Sequence, residues 1–202
     1  TVLGHVAENL KKFRFTFRFM LGNLHGFDGS AHRDLAAGSL GGYALDPLDR
    51  YTLSRLQALE QTASRCYREY NFARVVKETN FFVNNVLSAL YFDIKKDCLY
   101  TDAVDSPRRL ATQAVLAEVL RTLVSVLGPI LPMLAQEVWT ASPAFLTRGA
   151  ASPFIAGWHP VPTAYRRPDL EADFARLLAL RDRIRALTDT ATRRDRAVRN
   201  SL

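Results

Sequence analysis

The segment VAENLKKFRFTFRFMLGNL (residues 6–24) shows most clearly that this chain folds as helices. Its apolar residues recur at steps of three and four, a spacing that lines one face of an α-helix. The recurring positions are Val6, Leu10, Phe13, Phe17, Leu21 and Leu24. We therefore predict a helix over roughly residues 5–24 that packs this face into a core.

The same helix places a row of cations beside its apolar face. Lys11, Arg14 and Arg18 are three or four residues apart, so they share one flank of the helix. Phe15, with Phe19 further round, lies on the polar side of that flank. Cations next to an aromatic ring that the core does not need are suited to clamp a phosphate and stack an unpaired base. The alternative is that Phe15 and Phe19 pack against a neighbouring domain or loop.

Helical patterns continue along the rest of the chain. Asp46-Pro47 and Ser106-Pro107 are typical helix starts, because a capping side chain precedes a proline at the first helical position. We predict further helices over roughly 46–70, 71–91, 107–127, 132–139 and from 168 onward, and non-helical segments at 26–42, 93–106 and 142–168. The fold class is therefore all-α: an antiparallel bundle of four to five helices over residues 1–141, followed by a linker and C-terminal junction helix over 142–202.

Composition narrows the possible classes of protein. The chain has 202 residues, of which 48% are hydrophobic and 23% charged, so it can bury a core and is not compositionally disordered. It has no uninterrupted run of eighteen apolar residues, from which we expect no membrane span. Cys66 and Cys98 are too few for a disulfide framework or a four-thiolate zinc site, and we expect buried thiols and no metal. Because the chain starts at Thr1 rather than Met, we expect it to be part of a longer polypeptide.

The formal net charge of +7 includes 22 arginines and five lysines. Arginine suits phosphates and bases, so an anionic partner such as nucleic acid is one interpretation, and genomic base composition is the other. Arg108 and Arg109 begin a predicted helix, where cations oppose the helix dipole, and they are therefore either binding residues or simply solvated. A third basic cluster could follow a polyanion or complement a helix C-terminus: Arg193, Arg194, Arg196 and Arg199.

Motifs for catalysis are not found. Four scattered histidines have no nucleophile partner in a recognisable motif, and neither a P-loop nor a dinucleotide-binding fingerprint occurs. Asp93, Asp97 and Asp102 lie in the predicted connection, where solvation or capping explains them. We therefore expect no catalytic residue in this chain.

The order of motifs along the chain resembles one family. The string RFTFRFMLGNL (14–24) is similar to RNTFRFLLGNL, which typically opens the anticodon-binding domain of isoleucyl-tRNA synthetases, class I enzymes. The resemblance continues in the same order through LDRYTLSRLQ (48–57), YNFARVVKETNFFVNNVLSALYFDIKKDCLY (70–100), SPRRLATQAVLAEVLRTL (106–123), GPILPMLAQEVW (128–139), WHPVP (158–162) and LLALRDRI (177–184).

The resemblance implies a recognition module rather than a catalyst. Such a synthetase joins isoleucine to its tRNA with ATP in a catalytic domain whose HIGH and KMSKS signatures are missing here. The expected partners are tRNA(Ile) and the other synthetase domains in cis, with no membrane, no cofactor in this chain and a monomeric state. The style of YFDIKKD favours a mitochondrial enzyme in the matrix, and the cytoplasm is the alternative. The expected tRNA-binding residues are Lys11, Arg14, Phe15, Arg18, Arg108 and Arg109.

Three positions depart from the family pattern. Phe15 replaces the usual Asn, Val86 the usual Asp and Cys98 the usual Arg, so polar contacts are not expected at these positions. We expect Phe15 to substitute stacking for hydrogen bonding and Trp139, in the motif at 128–139, to pack.

Two other classes of function remain open at this stage. The first is a helical protein-interaction domain with no nucleic-acid role, in which the arginines serve solubility. The second is a free-standing enzyme with an unrecognised site in the segment 93–102.

Overall fold

The computed structural model describes residues 2–29, 35, 39–40 and 43–199, excluding the side chains of 2, 3, 5, 39, 40, 43, 44 and 189–199. This part of the chain is all-α, as predicted, apart from one two-residue hairpin in which Ser39 of β1 (Ser39–Leu40) pairs with Ala44 of β2 (Tyr43–Ala44). The helices are α1 (Val2–Asn23), α2 (Pro47–Arg68), α3 (Phe72–Phe81), α4 (Phe92–Thr101), α5 (Pro107–Leu127), α6 (Pro132–Thr140), α7 (Ala144–Thr147), α8 (Pro153–Ala156) and α9 (Pro168–Arg199).

Helix α2 begins and ends on hydrogen-bonded caps. The Asp46 carboxylate accepts from the Asp49 backbone N–H at 2.8 Å, and Asp49 accepts from the Asp46 N–H at 3.3 Å, which forms a capping box. At the other end, Tyr70 adopts a left-handed φ of 56° while the Asn71 N–H donates to the Cys66 carbonyl at 2.8 Å. Tyr70 therefore lies past the end of α2, and its ring is exposed.

Helix α5 is the centre of the bundle. Ten consecutive residues, 111–120, are buried, so the helix is enclosed on all sides. By length and composition α5 is also apolar enough to cross a membrane, with a mean hydropathy of 1.5 in its best window, of which 83% is buried inside the protein. The absence of eighteen uninterrupted apolar residues did not reveal this helix, because scattered polar residues interrupt the apolar ones. Burial on this scale is the pattern of a core helix.

The prediction of a connection at 93–106 is wrong for most of its length. The helix that starts at Phe72 passes through a π-helical segment, Phe82–Tyr91, and continues as α4 to Thr101. Phe92, Lys95 and Cys98 face inward at helical spacing, while the charged Asp93 and Lys96 are on the solvent face. Because charged residues dominate the segment, its inward stripe was hard to recognise.

The linker after α6 packs onto the bundle. The Trp139 indole N–H donates to the Ala150 carbonyl at 2.8 Å, and Val161 and Tyr165 are buried. The first compact unit therefore extends to Arg166, whereas we expected the bundle to end near residue 141. The packing expected for Trp139 is confirmed, since its ring is buried.

The second unit, 167–202, contains α9. Three of its apolar side chains, those of Leu177, Ile184 and Leu187, are exposed. The basic cluster at Arg193, Arg194, Arg196 and Arg199 lies outside the described side chains. Most of the predicted Gly-rich loop, 26–42, also lies outside the described residues.

Candidate nucleic-acid interface

Helix α1 is fixed to the bundle by the C-terminal two thirds of its apolar face. Phe13, Phe17, Met20 and Leu24 are buried. The expected stripe fails nearer the N-terminus, where Val6 and Leu10 are exposed. The buried anchors leave the opposite flank of the helix in solvent.

The predicted cations of α1 lie on that flank. We call Lys11, Arg14 and Arg18 the α1 cation row; all three are exposed. The Lys11 ammonium donates to the Glu8 carboxylate one turn earlier, at 2.9 Å. This hydrogen bond, and then the charge of Lys11, lower the pKa of Glu8. Because both groups are in solvent, the pair is weak and leaves Lys11 accessible.

Arg14 makes a contact that crosses between two helices. Its Nη2 donates to Glu137 Oε1 of α6 at 2.5 Å, and the two side chains are 64% and 54% exposed. Helix α6 buries Leu134, Val138 and Trp139, and this leaves Glu137 directed toward α1. An exposed pair of this kind contributes about 0–1 kcal/mol.

A groove separates the C-terminal half of α1 from α6. Its volume is about 670 Å³, and Arg14, Arg18 and His25 supply basic groups to its lining, against the single carboxylate of Glu137. Arg18 has no hydrogen-bond or ion-pair partner among the residues that the structure describes. A second groove of about 420 Å³ lies toward the N-terminus of α1 and is lined mainly by apolar side chains, including Leu10 and Met133.

The two aromatic rings of α1 have different environments. Phe15 is 66% exposed, whereas Phe19 is half-buried and stacks on Phe92 of α4 with ring centroids 4.3 Å apart. The packing alternative therefore describes Phe19. Phe15 remains a free apolar surface beside the α1 cation row, as stacking on a base requires.

The second predicted cluster, Arg108 and Arg109, is attached to a different part of the bundle. Arg108 Nε contacts Asp102 Oδ2 at 3.1 Å, and Arg109 Nη1 donates to the Asp102 carbonyl at 3.1 Å. Both arginines therefore face the connection between α4 and α5, whereas the α1 cation row faces α6. Neither of the two grooves lined by the α1 cation row includes Arg108 or Arg109 among its described residues.

Two of the three carboxylates of the segment 93–102, those of Asp93 and Asp102, pair with nearby cations. Asp93 accepts from Lys96 at 2.7 Å, and this hydrogen bond followed by the Asp93 charge raises the pKa of Lys96. Asp102 contacts Arg108. In the described part of the chain, no group of three or more His, Cys, Asp or Glu side chains is placed to hold a metal ion.

A buried ion cluster was missed by the sequence analysis. Lys95 Nζ donates to Asp46 at 2.6 Å and to Asp49 at 2.9 Å, and the Tyr91 hydroxyl donates to Asp49 at 2.8 Å. Two features could have indicated it: the acidic pair of the capping box, and the four-residue spacing of Tyr91 and Lys95 on one helix face.

Burial and charge act in opposite directions on the pKa values of this cluster. Burial raises the pKa of Asp49, and burial and the Asp49 charge together raise that of Tyr91 well above its usual value. For Asp46, burial opposes ionisation, but the hydrogen bond from Lys95 lowers the pKa. Burial also opposes the charged form of Lys95, and the charge of Asp49 nevertheless raises its pKa. The cluster lies inside the bundle and serves the fold.

Comparison with known protein families decides which fold family this bundle represents. The family model for the anticodon-binding domain of tRNA ligase matches residues 49–199, well over half of the chain. The chain belongs to this family. The domain is thus related to the helical modules that the order of its motifs suggested.

Similar proteins extend the match to α1, which precedes the residues matched by the family model. Isoleucine–tRNA ligase of Synechococcus is 34% identical over 100% of the domain and 20% of its own length. The mitochondrial isoleucine–tRNA ligase of Schizosaccharomyces pombe is 40% identical over 77% of the domain and 15% of its own length. The Halalkalibacterium halodurans enzyme is 42% identical over 70% of the domain and 15% of its own length. The chain therefore spans a fifth or less of these relatives, which include bacterial and mitochondrial proteins.

Proposed function

We propose that this chain is the module of an isoleucine–tRNA ligase that binds the anticodon stem-loop of tRNA(Ile). The observation on which the proposal rests is the exposed α1 cation row beside Phe15, on a domain that belongs to an anticodon-binding family. Lys11, Arg14 and Arg18 contact phosphates, and Phe15 stacks on an unpaired base. Phosphate contacts supply affinity that falls as salt rises, and contacts to bases supply selectivity.

Arg108 and Arg109 form a second contact with the RNA backbone. They face the α4–α5 connection rather than α6, so one rigid RNA touches both clusters only if it crosses the bundle surface between α1 and the start of α5. Gln113, one turn after Arg109, donates to the Asn23 carbonyl at the end of α1 at 2.7 Å, and this contact brings those two helix ends together.

Bond formation takes place elsewhere in the longer protein. ATP-dependent attachment of isoleucine belongs to a catalytic domain in the same polypeptide, and the bundle positions the tRNA for it. Two facts about the relatives support this division. They are named isoleucine–tRNA ligases, and the chain matches only 15–20% of their length. We place the protein in the mitochondrial matrix as a monomer, with the cytoplasm as the alternative location.

Salt-dependent RNA binding tests this function. The 202-residue chain is titrated with a synthetic RNA hairpin with an unpaired loop, at several salt concentrations. We expect Arg18→Gln to weaken binding about threefold to tenfold and to lower the salt slope by roughly 0.7, the value for one phosphate contact in a single strand. The matched control is Arg68→Gln, which removes the same charge from an exposed position at the end of α2. Equal effects of the two variants would contradict the assignment of the site.

A protein-interaction role is the second candidate. The observation that favours it is the apolar groove between α1 and α6, where Met133 is 83% exposed and Leu10 is also exposed. An isolated domain that binds RNA without salt dependence, or not at all, would favour this role.

A further inference from the structure

The position of Glu137 points to a function for this carboxylate in RNA binding. Glu137 contacts Arg14, the central member of the α1 cation row, from the opposite wall of the groove. We propose that Glu137 is an internal substitute for a phosphate: it pairs with the Arg14 guanidinium in the free protein and is displaced when RNA binds. This inference rests on the proposed RNA-binding function and describes how the same site is controlled.

The geometry supports exchange over a permanent structural bond. The contact joins Arg14 Nη2 to a single carboxylate oxygen, Oε1, so it is not the two-bond arrangement in which Arg and a carboxylate hold each other most firmly. Both side chains are more than half exposed, so water and ions compete for them. The helices do not depend on the pair, since α1 and α6 are each anchored by buried apolar residues.

Glu137 also occupies the position that an incoming anion needs. It is the only carboxylate in the described lining of the larger groove, and it lies among Arg14, Arg18 and His25. A small anion that displaced Glu137 would gain one contact and leave an unpaired carboxylate beside it. A polynucleotide brings several phosphates at once, so its contact with Arg18 compensates for that displacement. The pair therefore favours polyanions over single phosphate ions.

Exchange predicts a distinctive salt dependence. A phosphate that pairs with a free cation releases its counterion, which gives a slope of roughly 0.7 per contact for single strands. At Arg14, the displaced Glu137 carboxylate becomes solvated and attracts a cation from solution. A phosphate contact with Arg14 therefore releases fewer ions in total than a contact with an unpaired cation. Arg14 and Arg18 should therefore differ in their salt slopes, although both contact phosphates.

The test measures the dissociation constant of the 202-residue chain for an RNA hairpin with an unpaired loop, as a function of salt. We expect Glu137→Gln to tighten binding about twofold to fivefold and to steepen the salt slope by up to about 0.7. Arg14→Gln should reduce the slope by clearly less than Arg18→Gln does. In the Arg14→Gln background, Glu137→Gln should leave the slope unchanged. Glu137→Gln should also increase the affinity for inorganic phosphate relative to that for RNA.

The matched control is Glu8→Gln, which removes the same charge from the Lys11 pair on one helix surface. It should have a smaller effect than Glu137→Gln, and that effect should persist in the Arg14→Gln background. Weaker binding by Glu137→Gln would show that the carboxylate orients Arg14 for RNA binding. This result would overturn the proposal that RNA displaces Glu137 from Arg14. Equal slopes for Arg14→Gln and Arg18→Gln would also overturn it. A chain that shows no salt-dependent RNA binding in any variant would refute the proposed function itself, which separates the two failures.

Discussion

Lys95 and Arg14 each pair with a carboxylate from another part of the chain, but in opposite surroundings. The Lys95 side chain is 5% exposed and contacts two aspartates of the α2 cap, whereas Arg14 is 64% exposed and contacts one glutamate of α6. Charges removed from water must be paired, because an uncompensated buried charge is strongly unfavourable. Charges that remain in water can change partners at little cost. The comparison separates cations that hold the fold from cations available to a ligand.

The largest expected effect comes from removing the buried cation. Lys95→Met leaves the buried Asp49 without its cationic partner, so we expect the free energy of unfolding to fall by about 3–5 kcal/mol. Urea denaturation followed by circular dichroism measures this change. Lys96→Met, the neighbouring exposed lysine on α4, should change stability by less than about 0.5 kcal/mol. Similar losses of stability in both variants would contradict the distinction between buried and exposed cations.

The next effect concerns the exposed aromatic ring. Phe15→Ala should weaken binding to an RNA hairpin by about 1–3 kcal/mol, the usual contribution of one base–aromatic stack, while stability stays nearly constant. Fluorescence anisotropy with labelled RNA gives the affinity. Phe81→Ala, an exposed phenylalanine on α3, is the control and should bind RNA as the unmodified chain does. An unchanged affinity in Phe15→Ala would remove Phe15 from the interface.

Alkaline pH should weaken the buried cluster. The folded state raises the pKa of both Lys95 and Tyr91, so above pH about 10 the native state holds protons that the unfolded chain releases. Stability is fully present below that pH and falls as pH rises further, by at most about 1.4 kcal/mol per pH unit for each group. Thermal unfolding between pH 8 and about pH 11 measures the fall. In Tyr91→Phe the fall should be shallower, and an identical slope would show that Tyr91 does not contribute.

The smallest expected effect is at the start of α5. Arg108→Gln removes a cation from the N-terminal turn, where it opposes the helix dipole, and also removes its exposed contact with Asp102. These changes offset each other, so stability should move by less than about 0.5 kcal/mol, and RNA affinity should fall about twofold to threefold. Calorimetry and RNA titration check the two values. A larger loss of RNA affinity than in Arg18→Gln would make the α5 pair the main contact.

The prediction of helices from sequence succeeded where apolar spacing and capping residues agree. Asp46-Pro47 begins α2 through the capping box, and Pro107 begins α5, as predicted. It failed at Phe92–Thr101, where inward residues are interrupted by charged ones. The π-helical segment before α4 was predicted as ordinary α-helix, although its buried pairs repeat every four residues rather than the 3.6 of an α-helix.

The sequence predicted where the cations of the candidate site lie on α1, but not which residues they contact. The spacing of Lys11, Arg14 and Arg18 was sufficient to place them on one flank, because helix periodicity alone determines this. Their partners could not be predicted in the same way. Glu137 is 123 residues from Arg14 in sequence, and no local rule connects the two.

Local patterns in the sequence thus determined the all-α class, the helix starts at Pro47 and Pro107 and the shared flank of the α1 cation row. These depend on helix periodicity, on a proline at the first helical position and, for α2 alone, on a side-chain cap, since the Ser106 side chain makes no capping hydrogen bond. Tertiary structure alone decided that Lys95 is buried against Asp46 and Asp49, that Arg14 meets Glu137 and that the linker packs onto the bundle up to Arg166. The physical reason is that burial and long-range pairing depend on which helix faces meet, and this is settled only when the helices of the first unit pack around α5.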